Sequence, residues 1–103
     1  MNMKELCQLW LRFKKRSVKK TFLQQYVRII KCYIDPKLGE IEVAQLKLED
    51  VLNFMDDLDT YLSSKSIQDI VVILKSILNY GKLGGYCDFP IKAIPTIRVK
   101  KKK

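Results

Sequence analysis

Four stretches of the chain repeat apolar residues at the three-and-four spacing of a single helical face. Leu6, Leu9, Trp10 and Phe13 mark a first helix over residues 3–15, with Lys4, Glu5, Gln8, Arg12 and Lys15 mostly opposite. Phe22, Tyr26, Ile29, Ile30 and Tyr33 mark a second over 18–34. Leu48, Val51, Phe54, Met55 and Leu58 mark a third over 48–60. The fourth, from about Ser64 to Leu83, has the widest apolar face: Ile67, Ile70, Val71, Ile73, Leu74, Ile77 and Leu78. A face that broad predicts a helix central to the core. Glu40-Ile41-Glu42-Val43 alternates and could be a short extended piece, but one such run makes no sheet. The pattern predicts an all-α, four-helix fold.

Local punctuation sets the expected ends. Ser63 or Ser64 can accept an N–H of the first turn of the fourth helix, and Ser17 can do the same for the second. Lys47 is a poor cap for the third, although Glu49 and Asp50 suit its dipole. Pro36 is expected to end the second helix, and Gly39 to turn the chain at positive φ. Gly81 weakens the end of the fourth helix and Gly84-Gly85 stops it. Phe89 is expected to pack back on the bundle. From Ile91 on, Pro95 and the closing Arg98-Val99-Lys100-Lys101-Lys102-Lys103 read as an extended basic linker. Residues 1–90 would then form the domain, and 91–103 the connection to whatever follows.

Charge changes the picture more than composition does. The chain carries a formal net charge of +9, which favours a polyanionic partner. Residues 1–33 hold nine basic side chains and one acidic, 40–60 one basic and seven acidic, and 61–103 nine basic and two acidic. Two basic segments around an acidic one suggest one face turned to a polyanion and one helix turned away. The three cysteines, Cys7, Cys32 and Cys87, are widely spaced and odd in number, which argues against a disulfide framework. They read as reduced packing residues of a cytoplasmic protein. Without histidine, a metal site has few ligands to draw on, and no cofactor is expected. No apolar stretch is long enough to span a bilayer, and no signal peptide is visible. No helix pairs a lysine-rich face with an exposed apolar one, so a membrane partner is not expected.

Two places carry candidate chemistry. Lys20, Gln24, Arg28 and Lys31 fall at steps of four, four and three, one outer stripe of the second helix. Such a stripe can meet phosphates and base edges together. The start of the fourth helix, with Ser64, Lys65 and Ser66, is a natural place for a phosphate. Asp56, Asp57 and Asp59 lack the glycine turn of a cation loop and read as a solvated face. Trp10, in the middle of an apolar stripe, reads as a core anchor.

The order of short motifs resembles the N-terminal core-binding domain of tyrosine recombinases of the phage integrase type. The matching residues are Tyr26 followed by Ile34-x-Pro36-x-Leu38-Gly39; Leu46-x-x-Glu49-Asp50-Val51; Leu62-Ser63-x-Lys65-Ser66-Ile67; Leu74-x-x-Ile77-Leu78-Asn79-Tyr80; and Gly85 with Pro90. The similarity covers about residues 3–99. The chain departs from the family pattern at Phe22, where a threonine is common, with Thr21 beside it, and at Lys47, Gly81 and Phe89. The resemblance implies a SAM-like bundle forming half of a clamp on DNA, with its second and fourth helices toward the major groove. It also implies that the catalytic residues belong to a second domain absent from this chain. None of Tyr26, Tyr33, Tyr61, Tyr80 or Tyr86 is then a nucleophile.

Residue pattern and resemblance together predict a non-catalytic module for double-stranded DNA in site-specific recombination. Its other expected partners are the catalytic domain of the same recombinase and further protomers on DNA. Lys19, Lys20, Thr21, Gln24 and Arg28 on the second helix, with Ser64, Lys65, Ser66, Gln68 and Lys75 near the fourth, are the expected DNA-facing residues. The competing reading is a helical protein–protein interaction module working through the acidic helix and the Tyr86–Ile97 segment.

Overall fold

The structure is a computed structural model and describes residues 1–94. It is all-α, with four helices of 10 to 20 residues. Its axis is the last and longest, α5 (Ser64–Leu83). Ile67, Ile70, Val71, Ile73, Leu74, Ile77 and Leu78 are all buried. Each large apolar side chain withdrawn from water is worth roughly 1.5–3 kcal/mol before entropy, so α5 is the main source of core stability. The helix ends as its glycines predict. Gly85 adopts φ 77°, Tyr86 N–H bonds Gly81 O at 2.8 Å, and Gly85 N–H bonds Lys82 O at 3.2 Å. This pair of bonds satisfies the last carbonyls.

The first helix, α1 (Met3–Lys14), buries Met3, Leu6, Cys7 and Trp10. Its start is closed reciprocally: Asn2 Oδ1 accepts from Glu5 N–H at 2.9 Å, and Glu5 Oε1 accepts from Asn2 N–H at 3.4 Å. It meets α5 at Gly81, where an added Cβ would lie 2.9 Å from Leu6 Cδ2. Gly81 therefore sits where α1 crosses α5 closely. Phe13 does not follow Trp10 into the core; it is 53% exposed and stacks at a tilt on Tyr80.

The second helix departs from its expected form. It comprises α2 (Lys20–Ile29), a π-turn over Ile30–Ile34, and the single helical turn α3 (Asp35–Leu38). Pro36 does not terminate the helix but lies in the first turn of α3. A proline in a helix removes one N–H and crowds the carbonyl four residues back. The wider π-turn, in which Asp35 N–H bonds Ile30 O, relieves both demands. Ser17 does not cap α2; its hydroxyl bonds Lys14 O, and the N-cap residue is Lys19 without a side-chain bond. Phe22, expected inward, is 51% exposed, and α2 itself contains no buried residue.

Gly39 also differs from expectation. Its φ is −57°, and what excludes a side chain there is space: a Cβ would lie 2.6 Å from Asp35 O. Gly39 O accepts from Lys4 N–H at 2.9 Å, closing the end of α3 on the start of α1. The alternating run beyond it is extended only enough for a single antiparallel bridge between Asn2 and Glu42, and Val43–Gln45 form a 3-10 turn. Helix α4 (Leu48–Asp59) buries Val51, Phe54, Met55 and Leu58. Asp50 Oδ2 accepts from Lys47 N–H at 2.9 Å, so a carboxylate secures the start that lysine could not. A Lys37–Asp57 ion pair at 2.6 Å ties α3 to α4. Phe89 is buried as expected, but so is Ile94, with Ile91 half-buried in a 3-10 turn over Ile91–Ala93. Packing thus continues past residue 90, to the last described residue. The remainder of the expected linker, with Arg98 and the terminal lysines, lies outside the described residues.

Candidate nucleic-acid interface

Helix α2 and its π-turn face α5 across an open groove of about 320 Å³. Gln25, Arg28, Ile29 and Tyr33 line one side, and Ser66, Asp69 and Ile70 the other. The groove continues along Phe22 and Tyr26 on α2 and Val72 and Ile73 on α5. Its floor is thus partly apolar, because α2 leans on the core through half-buried Tyr26 and Ile29. Trp10 lies beneath, its ring 5.1 Å from that of Tyr26, and its Nε1 donates to Ser76 Oγ at 3.3 Å. The indole is a core anchor joining α1, α2 and α5.

The expected DNA-facing residues do not all fall together. On α2, Lys19, Lys20, Thr21, Gln24 and Arg28 are all exposed, and Lys20, Gln24 and Arg28 keep their four-residue step along one stripe. Lys31 is exposed too, but it lies within the π-turn, where that step no longer holds. Arg28 and Ser66 share the groove. On α5, Lys65 is exposed and Gln68 and Lys75 half-buried. Their spacing puts them on one outward ridge with Asn79 and Lys82.

Ser64 is placed apart from the rest. It lines a recess with Met55, Asp56, Asp59 and Ile67. Two carboxylates there disfavour a phosphate. The first-turn donors of α5 are also partly used, since Ser63 Oγ accepts from Ser66 N–H at 3.4 Å. The serine-rich opening of α5 is therefore an ordinary cap.

Two polar groove residues escaped the sequence reading: Gln25 and Asp69. Gln25 falls between the basic stripe and the apolar face, which a helical wheel can place at the border. Tyr33, expected on the apolar face with Ile29, lines the groove beside it from within the π-turn. Asp69 puts a carboxylate in the groove opposite Arg28, and among the described residues no ion pair joins them.

Elsewhere, titratable groups are structural. Burial pushes the Cys7 thiol up to about 12, with the Asp35 carboxylate adding to the effect, so it is no nucleophile. Cys87 is half-buried, whereas Cys32 is exposed and is not the packing residue its sequence suggested. Burial also raises the Asp35 carboxyl, with Lys4 and Lys31 opposing, and its Oδ1 has no hydrogen-bond partner. Asp56 and Asp59 are exposed, as a solvated face requires, whereas Asp57 is half-buried and paired with Lys37. Among the described residues no helix is long and apolar enough to cross a membrane, and no three potential ligands converge on a metal position.

A family model described as phage integrase, N-terminal SAM-like domain, matches residues 2–59. The matched stretch runs from the cap of α1 to the end of α4 and stops before α5. No curated protein and no solved structure matches the chain.

Proposed function

From the premise that this chain belongs to the phage integrase N-terminal SAM-like domain family, we propose that it binds double-stranded DNA through the exposed faces of α2 and α5. The N-terminal SAM-like domain of integrases is a non-catalytic domain. In this reading the strand-cutting residues stand on a separate domain of the same recombinase, and this module holds the duplex for them during site-specific recombination. Further protomers on the same DNA would complete the assembly. The binding module includes the packed residues as far as Ile94, and the rest of the expected linker leads to the catalytic domain.

The observation that carries the reading is that Arg28 of α2 and Ser66 of α5 line one groove. The basic stripe of α2 and the ridge of α5 thereby flank a common concavity. Lys19, Lys20 and Lys65 would hold phosphates, with the uncapped N–H groups of α2 adding donors. Gln24, Arg28 and Gln68 are the candidates for base edges, and Thr21, Ser66 and Lys75 for sugar–phosphate contacts. Asp69 would reject a phosphate from the floor of the groove and accept from a cytosine amino group.

Titrating the protein with duplex DNA over a range of salt concentrations tests the proposal. Contact with roughly six phosphates predicts a slope of log affinity on log salt of about −5. A slope near zero, or no binding at low salt, overturns it and leaves the protein–protein reading.

A further inference from the structure

A second recess lies at the opposite end of α5 from its serine cap. Lys75, Asn79 and Lys82 of α5 and Lys92 of the C-terminal 3-10 turn surround it, over an apolar floor at half-buried Ile91, with Leu83, 81% exposed, on its rim. Its volume, about 720 Å³, exceeds that of the α2–α5 groove. Among the described residues no carboxylate lines it. The α2–α5 groove, by contrast, holds Asp69, the recess between α3 and α4 holds Asp50 and Asp57, and the one at Ser64 holds Asp56 and Asp59. Among the described residues none of the three lysines is paired with an acid. Three ammonium groups around a partly apolar recess, with an amide beside them, repel one another, and an anion seated among them relieves that repulsion.

We propose that this recess is a second backbone-binding site, in which Lys82 and Lys92 extend the duplex contact of α5 beyond Lys75. The inference rests on the DNA-binding reading above. Two observations connect the sites. Lys75 lines the recess and is among the duplex-contacting residues proposed above, and Lys65, Gln68, Lys75, Asn79 and Lys82 recur at three-, four- and seven-residue steps along one ridge. At 1.5 Å per residue that ridge is about 26 Å long, enough for one strand to follow it across several phosphates. The apolar floor suits the deoxyribose faces that lie between phosphates. Packing of Ile94 on the bundle fixes the turn that carries Lys92. The second site is therefore part of the folded module.

The test compares the full chain with its Lys82→Gln/Lys92→Gln form, and with a Lys20→Gln/Arg28→Gln form as reference. Both lysines are exposed, so the fold is retained, and a thermal melt verifies it. The salt slope of duplex binding should become shallower by about 1.8 in the first variant, with affinity at moderate salt down tenfold or more. An unchanged slope and affinity in that variant, while the reference variant is weakened, overturns this inference and leaves the DNA reading standing. No salt-dependent duplex binding by the unaltered chain removes both. Inorganic phosphate at matched ionic strength distinguishes a free anion from a strand. Phosphate binding that disappears in Lys82→Gln/Lys92→Gln but leaves duplex affinity unchanged in both forms would assign the recess to a free anion and overturn the backbone assignment. A poly-glutamate peptide that binds the recess while duplex affinity stays at its original value would assign it to an acidic protein instead.

Discussion

Trp10 Nε1 donates to Ser76 Oγ across the contact between α1 and α5, at 3.3 Å. The indole is 2% exposed and lies against Tyr26 of α2, so one side chain holds three helices in register. Ser76→Ala should destabilise the fold by about 1 kcal/mol, because a nearly buried N–H loses its acceptor. Trp10→Ala should cost about 3–5 kcal/mol through the cavity it leaves. Urea unfolding followed by circular dichroism checks both, and equal small losses would contradict the anchoring role.

Two glycines should respond differently to the same added methyl. At Gly39 the new Cβ meets the Asp35 carbonyl oxygen at 2.6 Å, and backbone cannot step aside. Gly39→Ala should cost about 1–3 kcal/mol. At Gly81 the nearest atom is the tip of Leu6, which can shift, and replacing a helical glycine returns about 1 kcal/mol. Gly81→Ala should therefore be nearly neutral. A larger loss at Gly81 than at Gly39 in denaturant melts would reverse this account.

Helix α2 has no buried residue and no side-chain cap, whereas α5 buries eight residues. Few buried contacts mean a small free energy of local opening. Amide exchange in Leu23–Ile29 should be faster than in Ile70–Leu78 by several orders of magnitude. Addition of duplex DNA should slow the α2 amides preferentially. Uniform protection across both helices would show that α2 opens only with the whole fold.

Charge reversal offers the most direct reading of the interface. Lys20→Glu and Lys65→Glu each remove one phosphate contact and add a repulsive charge, so each should weaken duplex binding roughly tenfold or more at moderate salt. Glu49→Lys and Asp56→Lys on α4 should leave binding little changed. Fluorescence anisotropy with a labelled duplex separates these outcomes, and equal effects at both sets would place the contact elsewhere.

Asp35 predicts an unusual pH response. Burial raises its folded pKa above the ordinary carboxylate value, so the folded state binds the proton more tightly than the unfolded chain. Its contribution is then most favourable in acid and declines as pH rises through the folded pKa. Asp35→Asn should accordingly stabilise the protein at neutral pH, and the advantage should fade below the ordinary carboxylate range. A variant less stable at neutral pH would mean that Lys4 and Lys31 outweigh burial.

The apolar spacing was enough to specify the number of helices, the extent of α5, the buried faces of α4 and α5 and the anchoring of Trp10, because these follow from a 3.6-residue period and from which residues avoid water. The charge blocks likewise marked the acidic helix and the two basic ones. The reciprocal Asn2–Glu5 cap escaped that reading, although its residue types and spacing are local. Other features lay beyond any local rule. The π-turn before Pro36, the exposure of Phe13 and Phe22, and the close crossing at Gly81 depend on where a neighbouring helix happens to pass. The same holds for the surface: periodicity puts Ser64 beside Lys65, but packing against α4 turns it toward two carboxylates. Packing of Ile94 brings Lys92 beside Lys82, and nothing in the spacing of those two lysines foretells it. A helical period states which face is apolar, while the identity of the element covering that face is a long-range matter, settled when the whole core closes.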